Sequence, residues 1–408
     1  MAIEREERAS WPDVALWKAA GWGRLLVQGE DRLAFLQRMS TNDFRAMQPG
    51  MVLPTVFTTP IGRIVDWTHA WAMEAEVLLL TSPGAGPGLL SWLRQYIFFR
   101  DRVRVEDGAD RWETIGLIGP RATECLGWAP EVSYASQPIQ VAGMEVLAAR
   151  IDFPPLIWIV GSPAHIRALQ EHLEKQGVPA MEETTWEIWR VEQGIPAWGR
   201  ELTEAVNPLE AGLRFAISFQ KGCYIGQEVI ARLEHYEKVR RRLIGLYLAE
   251  EIPMGGARLE AEGRDIGWLT SVVRSPRWGP IGLGYVQREY AEARPLGFRS
   301  IRRANRPGPA GEASVFRTPS ASVNSFGGFR GQCRGLWPPV PHPKDFFSPL
   351  PTTWRAMGRR EKGGGAMAFQ AGFSSPNPQP IAGQSTQQGR RLPWEIRCAI
   401  PRFGLPCI

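Results

Sequence analysis

The chain has 408 residues, 44% of them hydrophobic, which is ordinary for a globular protein and long enough for two or three domains. Its formal charge of +6 is unevenly spread: residues 301–408 hold 15 Lys+Arg against 4 Asp+Glu, leaving 33 against 38 in residues 1–300, so the body has no basic nucleic-acid signature. No apolar run reaches bilayer-spanning length, the charged start Met1-Ala2-Ile3-Glu4-Arg5-Glu6-Glu7-Arg8 lacks a secretory core, and the five cysteines make no disulfide framework; the expectation is a cytoplasmic monomer with no membrane or nucleic-acid partner.

Trp22 to Gly29 reads as a strand entering a turn, and Glu30-Asp31 opens a helix whose apolar face is Leu33, Phe35, Leu36 and Met39. Val52–Phe57 is a strand, Thr58 to Arg63 a turn, and Ile64-Val65 the next strand. Val77–Leu80 follows, then a helix with Pro87 in its first turn and Leu89, Leu90, Leu93 and Ile97 as its stripe. Val103–Val105 and Trp112–Ile118 alternate as strands do.

A second block repeats the grammar. Met144–Ala149 and Leu156–Val160 read as strands, and Ser162-Pro163 starts a helix with Ile166, Leu169 and Leu173 inward and Gly177 as its stop. Thr184–Gly194 places Trp186, Trp189, Val191 and Glu192 at helical spacing, with Pro196 as the stop. Two similar-sized blocks of alternating strands and helices predict α+β halves of the ferredoxin-like kind. Leu243–Leu248, a hairpin of Arg258–Ala261 with Ile266–Val273, and Ile281–Val286 predict a small β-barrel. Residues 301–408 hold 15 of the 34 prolines and no lasting apolar period, which predicts a disordered tail. Its Cys333, Cys398 and Cys407 suit a recent extension or a segment read in a shifted frame.

The chemistry concentrates in Lys221-Gly222-Cys223-Tyr224-Ile225-Gly226-Gln227-Glu228, which puts a thiol between two glycines, beside a lysine and just ahead of a helical pattern. Both neighbours favour the thiolate, so Cys223 reads as a nucleophile or ligand, with a tight-turn packing role as the alternative. His69, His165, His172 and His235 have no zinc-site spacing, and no nucleotide-binding loop occurs.

That octapeptide resembles the signature of the YgfZ family, folate-binding proteins that support iron–sulfur enzymes and form a branch of the glycine-cleavage aminomethyltransferase (T-protein) superfamily. The stretches Gly199-Arg200-Glu201-Leu202-Thr203 and Asn207-Pro208-Leu209-Glu210-Ala211-Gly212-Leu213 resemble the same pattern, as do Gly267-Trp268-Leu269-Thr270-Ser271 and Gly284-Tyr285-Val286 in the barrel. The resemblance covers roughly residues 15 to 290. It implies a folate-binding α+β region over residues 1–235 (halves about 1–120 and 121–235), a C-terminal barrel over 236–300 and the tail beyond. The family barrel needs another strand after Tyr290, so the change of composition there puts closure in question.

By the resemblance, Trp22 and Trp186 are folate-contacting tryptophans and Glu192 holds the pterin edge, with core packing as the alternative for both tryptophans. Stacking faces and a carboxylate are what a pterin needs. The superfamily turn that carries the reaction's acid reads Gly62-Arg63-Ile64-Val65-Asp66-Trp67 here, with Trp67 at the second acidic position. Tryptophan takes no proton, so aminomethyl transfer requires Asp66 to have moved into the role. The expectation is a tetrahydrofolate-binding accessory protein for iron–sulfur cluster assembly or repair in client enzymes, tRNA-modifying ones included. Cys223 and Lys221 would act beside a pocket formed by Trp22, Trp186, Glu192 and Asp66, with no resident metal. The alternatives are a folate-dependent aminomethyl or one-carbon transferase and a non-catalytic scaffold stabilised by folate.

Overall fold

The protein is described from a computed structural model over residues 11–248, 255–261, 263–292 and 299–301. The expected disorder of the tail beyond residue 301 falls outside the described residues. The first block runs β1 (Ala15–Trp17), β2 (Gly23–Gln28), α1 (Arg32–Met39), β3 (Val52–Thr58), β4 (Ile64–Ala72), β5 (Glu76–Thr81), α2 (Gly86–Gln95), β6 (Arg104–Asp107) and β7 (Glu113–Ile118). Next come α3 (Ala122–Leu126), β8 (Ser136–Val141), β9 (Met144–Asp152), β10 (Pro155–Gly161), α4 (Pro163–Lys175), β11 (Ala180–Met181), α5 (Glu183–Gln193) and, after a 3-10 turn at Arg214–Ala216, α6 (Gln227–His235). The last block is β12 (Arg241–Tyr247), β13 (Arg258–Ala261), β14 (Arg264–Ser275), β15 (Gly279–Gln287), α7 (Arg288–Glu292) and β16 (Arg299–Ile301).

Three sheets result. β3-β4-β5-β2-β6 form one of five strands, β11-β1-β7-β10-β9-β8 one of six, and β12-β15-β14-β13-β16 another of five. The six-stranded sheet takes β1 and β7 from the first part of the chain, so the two large sheets are interleaved in sequence. The fold is mixed α+β, with a small antiparallel barrel-like sheet at its C-terminal end. β16 pairs antiparallel with β13 and supplies a strand after Tyr290.

Strand alternation explains how the layers pack. In the first sheet Leu25, Val27, Ala70, Ala72, Val77 and Leu79 pack against Phe35, Leu36 and Met39 of α1 and Leu89 and Leu93 of α2. In the six-stranded sheet Leu16, Ile157 and Ile159 pack against Ile166, Leu169 and Leu173 of α4. The opposite faces of both sheets share a central cluster: Leu26, Trp67, Trp71, Leu78 and Leu80 from one, Trp17, Ala149, Ile151, Leu156, Trp158 and Val160 from the other. α5 carries Trp186 and Trp189 into this cluster and lies against β14 and β15.

Local signals place these elements. Ser162 Oγ accepts the His165 amide at 3.2 Å, the N-cap that the sequence implies, with Pro163 in the first turn. α5 stops before the expected Pro196, because Gly194 takes the left-handed conformation at φ 72° and caps the helix first. β1, β8, β11 and α3 are too short or too polar to have stood out in the sequence.

Candidate functional site

The central cluster joins two of the residues expected at the site. Trp17 of β1 stacks on Trp186 with ring centroids 3.4 Å apart and planes 8° apart. Trp22 meets Trp17 edge-on at 5.7 Å and Trp158 at 4.9 Å, and Trp189 lies 5.1 Å from Trp186. Trp22 and Trp186 are 7% and 5% exposed, so both are core aromatics as well as candidate ligand contacts. Trp17, Trp158 and Trp189 belong to the same group. In the sequence their only signals were period two in β1 and β10 and the i, i+3 spacing in α5.

The cluster is polar in an unusual way. The indole nitrogens of Trp17, Trp22, Trp67, Trp71 and Trp158 are buried and have no hydrogen-bond partner among the described residues, and neither ring nitrogen of His69 has one. An unpaired buried donor costs about 1–3 kcal/mol, and native cores hold few of them. Those N–H groups are free to donate to any acceptor atom brought into the cluster.

Glu192, near the end of α5, is 6% exposed. One carboxylate oxygen accepts the Trp11 indole N–H at 2.7 Å and lies 3.6 Å from Arg277, and the other accepts Ser275 Oγ. Trp11 also packs against the central cluster, so Glu192 borders that cluster through Trp11. The α5 frame is rigid. Arg190, buried, bonds Glu187, Ser271 Oγ, the Ile195 carbonyl and Glu201, which is 0% exposed. Tyr285 Oη donates to the Glu201 carbonyl at 2.9 Å and ties the barrel-like sheet to the same frame.

Lys221 and Cys223 sit on a different support. The Lys221 ammonium donates to the carbonyls of Gln37 and Ser40 at 2.7 Å and of Asn42 at 2.5 Å, at the C-terminal end of α1. Burial draws its pKa down to about 7, opposed by the charge of Asp43, and the three carbonyls match the three N–H donors of the charged form. Lys221 thus pins the loop to α1. Thr58 Oγ1 donates to the Ile225 carbonyl at 2.7 Å, and Gly226 sits at φ 84°, where a Cβ would fall 2.7 Å from Thr58 Oγ1 and the Thr59 carbonyl. Only glycine fits that approach. Cys223 itself is exposed and unbridged. No hydrogen bond, ring contact or shared cluster among the described residues links it to Trp22, Trp186 or Glu192.

The Asn207–Glu210 stretch is a brace. Asn207 Oδ1 accepts the amides of Leu209 and Glu210 at 3.0 Å, and Glu210 accepts the Asn207 amide at 3.1 Å and Arg241 Nε at 3.1 Å. It ties the turn before β4 to the start of β12 through Ile64 and Leu243, whose amides bond the Val206 and Glu210 carbonyls.

Asp66 and Trp67 are neighbours in β4 and so face opposite ways. Trp67 points into the central cluster, while Asp66 accepts the amides of Trp67 at 2.8 Å and Ser82 at 3.2 Å on the other side of the sheet. Burial pushes its carboxyl up to about 7. No hydrogen bond or shared cluster among the described residues links Asp66 to Trp22, Trp186 or Glu192. The titratable side chain of β4 that shares the face of Trp67 is His69, whose ring lies 5.2 Å from that of Trp67; burial pulls its pKa down to about 4, so it is neutral at pH 7. The sequence considered His69 only as a metal ligand. The period-two run Trp67-x-His69-x-Trp71 was the signal that could have found it.

Two large sheets packed face to face, helices on their outer faces and a small antiparallel sheet joined through α5 define the class of the T-protein fold. The chain belongs to the glycine cleavage T-protein family: its GCVT N-terminal domain profile matches residues 1–221 and its C-terminal barrel domain profile residues 241–301. A chloroplastic protein of Arabidopsis thaliana with a provisional transferase name is 34% identical over 284 residues, covering 66% of this chain and 64% of that protein's length. An aminomethyltransferase of Caldanaerobacter subterraneus is 26% identical over 307 residues, covering 71% of this chain and 82% of the relative. In fold, the chain is similar to the crystal structure of the glycine cleavage system aminomethyltransferase T of Bartonella henselae, with TM-score 0.62 and 20% identity, over 72% of this chain and 83% of the other. No helix among the described residues is long and apolar enough to cross a membrane.

Proposed function

We propose that this protein binds tetrahydrofolate or a derivative between its two large sheets and acts as an accessory factor for iron–sulfur cluster assembly or repair in client enzymes, tRNA-modifying ones among them. The observation that carries the folate reading is the combination of stacked indoles, unpartnered buried N–H donors and a buried carboxylate in one region. These residues fit the group. Trp22 and Trp186 offer aromatic surface once Trp186 parts from Trp17, on which it stacks in the free protein, and Glu192 offers the acceptor that a pterin 2-amino group and ring N–H require. Bound folate would supply a reduced ring able to carry a one-carbon unit. This chain's own residues would orient it, and Trp11 must release Glu192 for a pterin to bond there.

Two features favour the accessory role over aminomethyl transfer. Trp67 occupies the position where the superfamily's acid is expected, and Asp66 lies across the sheet from the cluster. Cys223 presents an exposed thiol suited to a mixed disulfide, a persulfide or one ligand of a cluster shared with a client. The test is rescue of a host strain deleted for its own YgfZ-type protein. Wild type restores the client iron–sulfur activity and Cys223→Ala does not. Rescue by Cys223→Ala together with methylene-tetrahydrofolate formation from an aminomethyl donor would establish the transferase instead.

A further inference from the structure

The inner face of β4 presents Trp67, His69 and Trp71, 2%, 1% and 0% exposed, on successive residues of one face. None of their ring nitrogens has a partner among the described residues. His69 sits between Pro54 and Leu80 in the ladder, and the Phe153 carbonyl lies near it without hydrogen-bond geometry. Phe153 and Phe215 close on Trp67 at 5.6 and 6.0 Å. At position 69 leucine or phenylalanine would leave no unpaired polar atom, and the unpaired nitrogens of all three rings bring the free protein no stability, whatever their ring carbons contribute by packing.

Their polarity is opposite to that of the Glu192 side. The Glu192 carboxylate only accepts, whereas two indoles and a neutral imidazole give up to three N–H donors and one acceptor. We propose that the Trp67–His69–Trp71 face is a specificity wall of the central site, reading the acceptor-bearing part of the ligand and favouring formyl-substituted folates over unsubstituted tetrahydrofolate. The inference rests on the folate reading above. A pterin carries donors on its 2-amino and N3 edge and acceptors at its 4-oxo group, and a formyl carbonyl adds a further acceptor. A ligand with donors for Glu192 and acceptors for β4 satisfies both walls.

The test uses the full chain, 5-formyltetrahydrofolate and tetrahydrofolate as probes, and the variants His69→Phe and Trp67→Phe, read by tryptophan quenching and by thermal unfolding without ligand. Wild type should bind the formyl compound about tenfold more tightly, a preference that each variant should cut severalfold, with His69→Phe unfolding no earlier than wild type. Equal binding of both folates to wild type, with His69→Phe unchanged, would overturn the wall and leave the folate reading standing. Absence of any folate binding to wild type would overturn both. A His69→Phe protein that unfolds well below wild type would make His69 a packing residue and also overturn the wall.

Discussion

Asp66 and His69 lie three residues apart on opposite faces of β4, and their titrations act on stability in opposite directions. Asp66 has its carboxyl raised from 3.8 to about 7 by burial, so the folded protein holds a proton there that the unfolded chain has released. It therefore contributes stability at pH 4 that is lost as the pH rises toward 7. His69 has its imidazole lowered from 6.5 to about 4, so the unfolded chain takes up a proton that the folded protein refuses. It therefore contributes stability above pH 6.5 that is lost as the pH falls toward 4. At about 1.4 kcal/mol per pH unit, Asp66 carries about 4 kcal/mol and His69 about 3 kcal/mol across nearly the same window, and in the wild type they offset. Asp66→Asn should unmask the histidine: its stability falls by about 3 kcal/mol between pH 7 and pH 4, a change about 4 kcal/mol more negative than that of wild type. His69→Phe should unmask the aspartate: its stability falls by about 4 kcal/mol between pH 4 and pH 7, a change about 3 kcal/mol more negative than that of wild type. Urea denaturation at half-unit pH steps gives both differences. Curves for the two variants that run parallel to wild type would refute the reasoning.

Two further predictions concern the supports. Lys221→Met keeps the stem but leaves the Gln37, Ser40 and Asn42 carbonyls without their shared donor, so denaturant unfolding should show a loss of about 3–5 kcal/mol. Trp11→Phe removes the N–H that Glu192 now accepts, so calorimetric titration should show folate binding tightened severalfold; unchanged affinity would mean that Trp11 does not compete with the ligand.

Most of the fold was legible because it rests on local periodicity. The apolar stripes of α1, α2 and α4 each specify one element and one buried face, and the short apolar runs of β3, β5 and β10 mark strands buried on both faces. The interleaving of the two large sheets was not legible, since β1 and β7 pair with strands far along the chain and no local pattern encodes that choice. The site divided the same way. Trp22, Trp186 and Glu192 were reachable through motif and helical spacing. That Asp66 faces away while His69 faces in depends on the exact residue at which β4 enters the sheet, which a bulge between Phe57 and Thr58 resets. Lys221 looked like an activator of Cys223 by adjacency, yet its long stem carries the charge to the end of α1.

The central claim, a folate held against Glu192, is tested most directly by fluorescence titration of the full chain with tetrahydrofolate beside Glu192→Gln. Wild type should give a saturable quench of tryptophan emission, and the variant should bind roughly tenfold to a hundredfold more weakly, the worth of a charge-assisted hydrogen bond to the pterin. A wild-type protein that shows no saturable response, or a Glu192→Gln protein that binds as tightly, would contradict it.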